Sequence, residues 1–158
     1  MNLPLFCFGS LMDRDVLGCV IGDEAAAGVK MEQAWLGGYR KVRLPHETYP
    51  MLVPEAEKST EGVLIYGLEK DHLDRIVFFE GEEYELTPCQ VKTEKSCSIE
   101  ALFFDEGIMP APYTVEWDYQ HWLQHHKEFM IRQSRKYMSY YGLMSAAEAD
   151  VYWQNYSE

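Results

Sequence analysis

Two short stretches of this chain carry residue types that could perform acyl chemistry together. The first is Phe8-Gly9-Ser10-Leu11-Met12, a glycine turn between an apolar, strand-like run and a helix start. Such a turn aims several backbone N–H groups at one point, and the dipole of the following helix adds positive potential there. It suits a carboxylate, or a carbonyl oxygen that gains negative charge during reaction. The second is Phe78-Phe79-Glu80-Gly81-Glu82-Glu83-Tyr84. Glu80 directly follows two aromatics, whereas Glu82 and Glu83 lie beyond the glycine in a more solvated turn. A carboxylate against aromatic walls loses hydration, which raises its pKa and fits it to act as base and then acid near neutral pH. On spacing alone, an ordinary surface acid at a helix end is the simpler account.

Other reactive side chains carry less. Ser10 lies outside any G-x-S-x-G elbow, and neither His46 nor His72 has an evident claim to activate it, so a loop-stabilising or substrate-bonding hydroxyl is expected. His121, His125 and Glu128 share a helical face at i, i+4 and i+7, a spacing that could hold a metal. The HExxH order is missing, and they read as solvent-facing or packing side chains, with no metal site. Cys7, Cys19, Cys89 and Cys97 contain no CxxC pair, and Cys7 reads as a buried strand thiol.

These candidates need elements to position them. Leu3–Phe8 reads as a central strand that breaks at Gly9-Ser10, and Asp13 is placed to cap a helix through Val16, Leu17 and Val20 that stops at Gly22. Gly28–Leu44 reads as strand with a turn or bulge at Gly37-Gly38, and Tyr49–Pro54 as a separate extended piece. Gly62–Leu68 is the clearest strand in the chain. Asp71–Phe79 has the spacing of a short helix ending at Gly81, a suitable left-handed cap. Glu83–Thr93 and Ser98–Phe104 read as an antiparallel pair about Lys95-Ser96. Beyond Pro110 and Pro112, Val115–Tyr141 has no Gly or Pro. Its Val115, Tyr119, Trp122, Phe129, Met130, Tyr137 and Tyr140 fall near one helical face, and a last helix could start at Ser145. The pattern is α+β, with helices concentrated at the end.

Composition sets the frame. The 158 residues include 22 aromatics, enough for a packed core. Fourteen basic against 26 acidic residues leave a net charge of −12, which disfavours nucleic acid and anionic membrane as partners. No apolar run approaches the roughly 20 residues of a membrane span. The first residues read as a strand, not a signal peptide, and a cytoplasmic location is expected.

Taken in order, several segments resemble the gamma-glutamylcyclotransferase-like (AIG2-like) family. LFCFGSLMDRDVL resembles its strand, Tyr-Gly-Ser/Thr-Leu loop and helix. AWLGGYRKV and TYPMLVP resemble its second strand and the Tyr-Pro segment that follows, and EGVLIYGL its Gly-Val-x-Tyr strand. HLDRIVFFEGEEY is similar to its helix ending in Phe-Glu-Gly-x-x-Tyr. The resemblance covers about the first 105 residues and implies a small closed β-barrel of mixed strands with surrounding helices, residues 1–112, followed by a helical C-terminal extension, 113–158, packed on the same domain. It implies an enzyme that needs no cofactor and cyclises the γ-glutamyl group of a small amine or amino-acid conjugate to 5-oxoproline. Glu80 would be the general base and acid, with Phe8, Gly9, Ser10, Leu11 and Tyr84 binding substrate. The chain departs from the pattern at Phe8, Ile76-Val77 and Glu85-Leu86, where the family has a tyrosine, a Leu-Asp pair and an arginine, so substrate identity stays open. A non-catalytic barrel that binds amino-acid conjugates or a protein partner is the alternative, and the aromatic face of the C-terminal helices could serve a homodimer.

Overall fold

The computed structural model describes residues 3–43, 50–81, 84–95, 97–105 and 115–154. Five strands close into a mixed barrel: β1 (Leu5–Cys7), β2 (Lys30–Arg43), β3 (Pro50–Tyr66), β4 (Glu85–Thr93) and β5 (Ser98–Asp105), in the order β1-β3-β2-β4-β5. Neighbours run antiparallel except β1 and β5, whose parallel contact at Leu5 and Leu102 closes the ring. Alternation along each strand sorts the side chains. Phe6 points inward with Ala34, Leu36, Leu64, Val91, Ala101 and Phe103, while Leu5 and Cys7 point out under the helices. Small residues opposite two phenylalanines suit so narrow an interior. Gly62 shows how tight it is: a Cβ there would lie within 2.6 Å of the Phe6 ring and closer still to the Cys7 carbonyl.

The bulge expected at Gly37-Gly38 is present as a register shift between Gly37 and Tyr39, with Gly38 at φ 87°. β3 is longer than its sequence suggests, joining the two pieces expected at Tyr49–Pro54 and Gly62–Leu68; Tyr49 lies outside the described residues. Most of the intervening residues are exposed, so no hydrophobic alternation announces a strand; residues 55–58 lie at the register shift, and the ladder with β2 on either side, at Pro50–Pro54 and Ser59–Tyr66, joins the two pieces.

Six α-helices cover the barrel among the described residues: α1 (Arg14–Ile21), α2 (Asp23–Gly28), α3 (Lys70–Glu80), α4 (Tyr119–His125), α5 (Lys127–Met138) and α6 (Ala146–Gln154). α1 starts where expected, with the Asp13 side chain accepting the Val16 amide at 3.1 Å. α2 was not signalled by periodicity. The single helix suggested by Val115–Tyr141 is two, broken at His126 (φ −126°), and α4 begins only where Asp118 accepts the amides of Gln120 and His121. Val115 therefore stands on an extended arm, 62% exposed, and not on the apolar face. Most of that stripe packs into the chain's own core: Trp122, Met130 and Tyr137 are buried, and Tyr119 and Tyr140 lie against them, whereas Phe129 stays half-buried with Arg132 over its ring. α6 opens with reciprocal bonds between Ser145 and Glu148, each backbone N–H meeting the other's side chain at 3.2 Å. No helix among the described residues is long and apolar enough to cross a membrane.

Candidate functional site

The glycine turn leaves the barrel at the end of β1. Ser10–Met12 forms a 3₁₀ turn closed by bonds from the Met12 amide to the Gly9 carbonyl (2.9 Å) and from Asp13 to Ser10 (3.1 Å). The Ser10 and Leu11 amides open the turn and have no partner within it. Buried Leu11 and Met12 side chains anchor it in the outer core, and Ser10 is buried as well. Asp13 secures the far end. Besides capping α1 it pairs with Lys127 of α5 at 2.9 Å, and Lys127 reaches Asp15 at the same distance. Those two carboxylates, Asp15 and then Asp13, hold the Lys127 ammonium well above the ordinary lysine range. At the near end, a Cβ on Gly9 would lie 3.1 Å from the Pro50 ring. Its φ of −131° is open to any residue, so glycine serves here by its small size.

Glu80 is the last residue of α3, half-buried, and Gly81 (φ 93°) turns the chain away behind it. The helix is fixed along its length. Its N-terminus carries reciprocal bonds between Glu69 and His72, and Arg75 Nε donates to the Val20 carbonyl at 2.7 Å. Ile76 and Phe78 are buried, Phe78 lying 5.2 Å and 5.3 Å from the rings of Tyr137 and Tyr141. The Tyr137 hydroxyl is shared between Asp150 Oδ1 at 2.9 Å and the Phe78 carbonyl at 3.3 Å, tying α5 and α6 to the turn that bears Glu80.

The charge of Glu80 acts on the end of β1, where the glycine turn begins. Cys7, the last residue of β1, is fully buried; burial first and the Glu80 charge second push its thiol well above the ordinary cysteine range. Glu80 is therefore within electrostatic reach of the residue before Phe8. Tyr84 is half-buried just ahead of β4, edge-on to Phe104 at 6.4 Å. Of the departures from the family pattern, Phe8 packs on the interior cluster 6.4 Å from Phe6, whereas Val77 and Glu85 face solvent.

The remaining candidates lie apart. His72 is a cap residue, its Nδ1 accepting the Glu69 amide at 3.1 Å, so the close group Glu69, Asp71 and His72 is a helix start. His46 lies outside the described residues. His121, His125 and Glu128 are exposed, with the two imidazoles 4.4 Å apart. A separate hollow beside α4, lined in part by Arg43, Trp117, His121 and His126, includes neither Glu80 nor the glycine turn.

One residue escaped the sequence reading. Lys41 on β2 reaches the same turn, its Nζ 3.7 Å from Met12 Sδ and 2.7 Å from the Glu61 carbonyl oxygen. It also stands over the Trp117 ring at 5.0 Å. Burial lowers its pKa to about 8, against an upward pull from the Glu61 carboxylate. Lys41 shares a strand face with Tyr39 and pairs across to Leu52, and Met12 and Trp117 lie against its ammonium.

Comparison with known proteins bears on this arrangement. A sequence family described as gamma-glutamyl cyclotransferase, AIG2-like, matches residues 5–124. AIG2-like protein C of Arabidopsis thaliana is 26% identical over 140 residues, which cover 85% of this chain and 77% of that protein. An Arabidopsis thaliana protein solved in solution superposes with a TM-score of 0.65 at 21% identity, covering 89% of this chain and 84% of its own. A structure described as gamma-glutamyl cyclotransferase superposes at 0.53 and 12% identity, over 72% of this chain and 69% of its own, a likeness of fold alone. With the match extending from β1 into α4, this chain belongs to the gamma-glutamyl cyclotransferase, AIG2-like family.

Proposed function

We propose that the protein cyclises the γ-glutamyl group of a small γ-glutamyl amine or amino acid to 5-oxoproline. The observation that carries this reading is the proximity of Glu80 to the end of β1, where the Phe8–Leu11 turn begins. The Glu80 carboxylate takes a proton from the substrate's α-ammonium, and the freed amine attacks its own γ-carbonyl carbon. The oxyanion that forms, together with the α-carboxylate, draws on the amides of the turn. Collapse breaks the amide C–N bond as Glu80, now a carboxylic acid, returns its proton to the leaving nitrogen, and the attacking nitrogen gives its second proton to solvent to become the lactam N–H. Because the nucleophile belongs to the substrate, the protein's task is to hold amine and carbonyl together, and Ser10 needs no histidine.

Support also comes from the altered positions. Val77 and Glu85 are exposed, so these two departures leave the packing that holds Glu80 and the glycine turn unchanged. The test is Glu80→Gln, assayed for 5-oxoproline release from a panel of γ-glutamyl compounds. General acid–base removal is expected to lower turnover by about a hundredfold or more, with the melting temperature unchanged. Undiminished release overturns the role of Glu80. Binding of a panel member without release by the wild-type protein favours a binding module instead.

A further inference from the structure

Lys41 is a charged group beside the glycine turn that neither the fold nor the acid–base chemistry above employs. Its only oxygen partner among the described residues is a main-chain carbonyl, that of Glu61, and no carboxylate among them forms an ion pair with it. A thioether and an indole complete its surroundings. The ammonium thus meets the turn directly at its last residue, Met12. Cations withdrawn from water ordinarily find a carboxylate, and a carbonyl, a sulfur and a ring leave most of this charge uncompensated.

We propose that Lys41 binds the α-carboxylate of the γ-glutamyl unit at the Gly9–Leu11 turn. The proposal rests on the cyclotransferase reading and adds to it the residue that recognises the substrate's anionic end. The incoming carboxylate supplies the counter-charge that the fold withholds, and charge-assisted pairing with an ammonium is stronger than amide contacts alone. Fixing the carboxylate also orients the α-amine on the adjacent carbon toward the γ-carbonyl. Lys41 exchanges no proton with the reacting atoms. Burial lowers the Lys41 pKa to about 8, and the Glu61 carboxylate offsets only part of that loss of hydration.

The test compares two ligands that differ only in the carboxylate, 5-oxoproline and 2-pyrrolidinone, by titration calorimetry. Wild-type protein is expected to favour 5-oxoproline by roughly tenfold or more, Lys41→Met to erase that preference, and Lys41→Arg to retain most of it. With a γ-glutamyl substrate, Lys41→Met raises KM by a similar factor and changes kcat less. A Lys41→Met protein that keeps the preference overturns the proposal, as does a wild-type protein that has none. A lysine needed only to tether the Glu61 carbonyl would lower the melting temperature of Lys41→Met and leave the preference intact, which also overturns it. Glu80→Gln separates the two readings. If it turns over normally while Lys41→Met loses the preference, the acid assignment fails and the carboxylate site stands.

Discussion

Two lysines meet the same end of the turn, at Met12 and Asp13, and they differ in what the protein gives them. Lys127 comes from the helical layer and meets two carboxylates, Asp13 and Asp15, each at 2.9 Å. Lys41 comes from the barrel and meets a carbonyl, a sulfur and a ring. The first is matched within the fold and fastens the helices to the turn. The second is half-buried and has no ion-pair partner among the described residues, a condition that weakens a fold and is tolerated where the charge serves something outside it. The helical side of the turn is thus built for position and the barrel side for recognition.

Removing the packing that delivers Lys127 tests the helical side most severely. Trp122, 1% exposed, anchors α4 in the outer core. Trp122→Ala should destabilise by about 3–5 kcal/mol in denaturant unfolding, as for other buried aromatic truncations. Gly62→Ala should cost about 1–3 kcal/mol, because its Cβ would meet the Cys7 carbonyl and the Phe6 ring, and β1 must shift to admit it. Asp13→Ala removes a helix cap and the pairing of Lys127 and should cost about 1–2 kcal/mol. Asp13→Asn keeps the cap and should recover most of that loss. Equal losses in the two variants would show that the ion pair, and not the cap, holds this end.

The smallest expected effect has the opposite sign. Lys41→Met should leave the melting temperature at pH 7 equal or slightly higher, since it removes a charge that the fold shields from water. The pH dependence follows from the lowered pKa. Between about 8 in the folded protein and 10.5 when unfolded, the unfolded chain binds more protons, so this group adds stability as pH rises through that window. Below about 8 both states are protonated and the gain is absent. The melting temperature of the wild type, relative to Lys41→Met, should therefore climb from pH 8 to 10.5. A flat difference would mean that the lysine is not shielded as described.

Much of this was legible in the residues. The β1–turn–α1 unit follows from an apolar run, two small residues and a capping aspartate, all local in effect. The helix ending at Glu80 and the β4–β5 pair were equally plain from periodicity and turn chemistry. The full length of β3 was not, because its middle residues are exposed and lie at a register shift, so neither burial nor a regular pattern marks them. Nor was the break at His126, since no glycine or proline marks it.

By itself, then, the order of residues determined the family and, through it, the small closed barrel, because the matching segments keep their order along the chain. Tertiary structure alone decided that Glu80 lies near the end of β1 and that Lys41 is covered while lacking an ion-pair partner among the described residues. The physical reason is distance along the chain: Lys41 is brought to Met12, Glu61 and Trp117 only when the barrel closes and the helical arm crosses it, and no local pattern encodes that meeting.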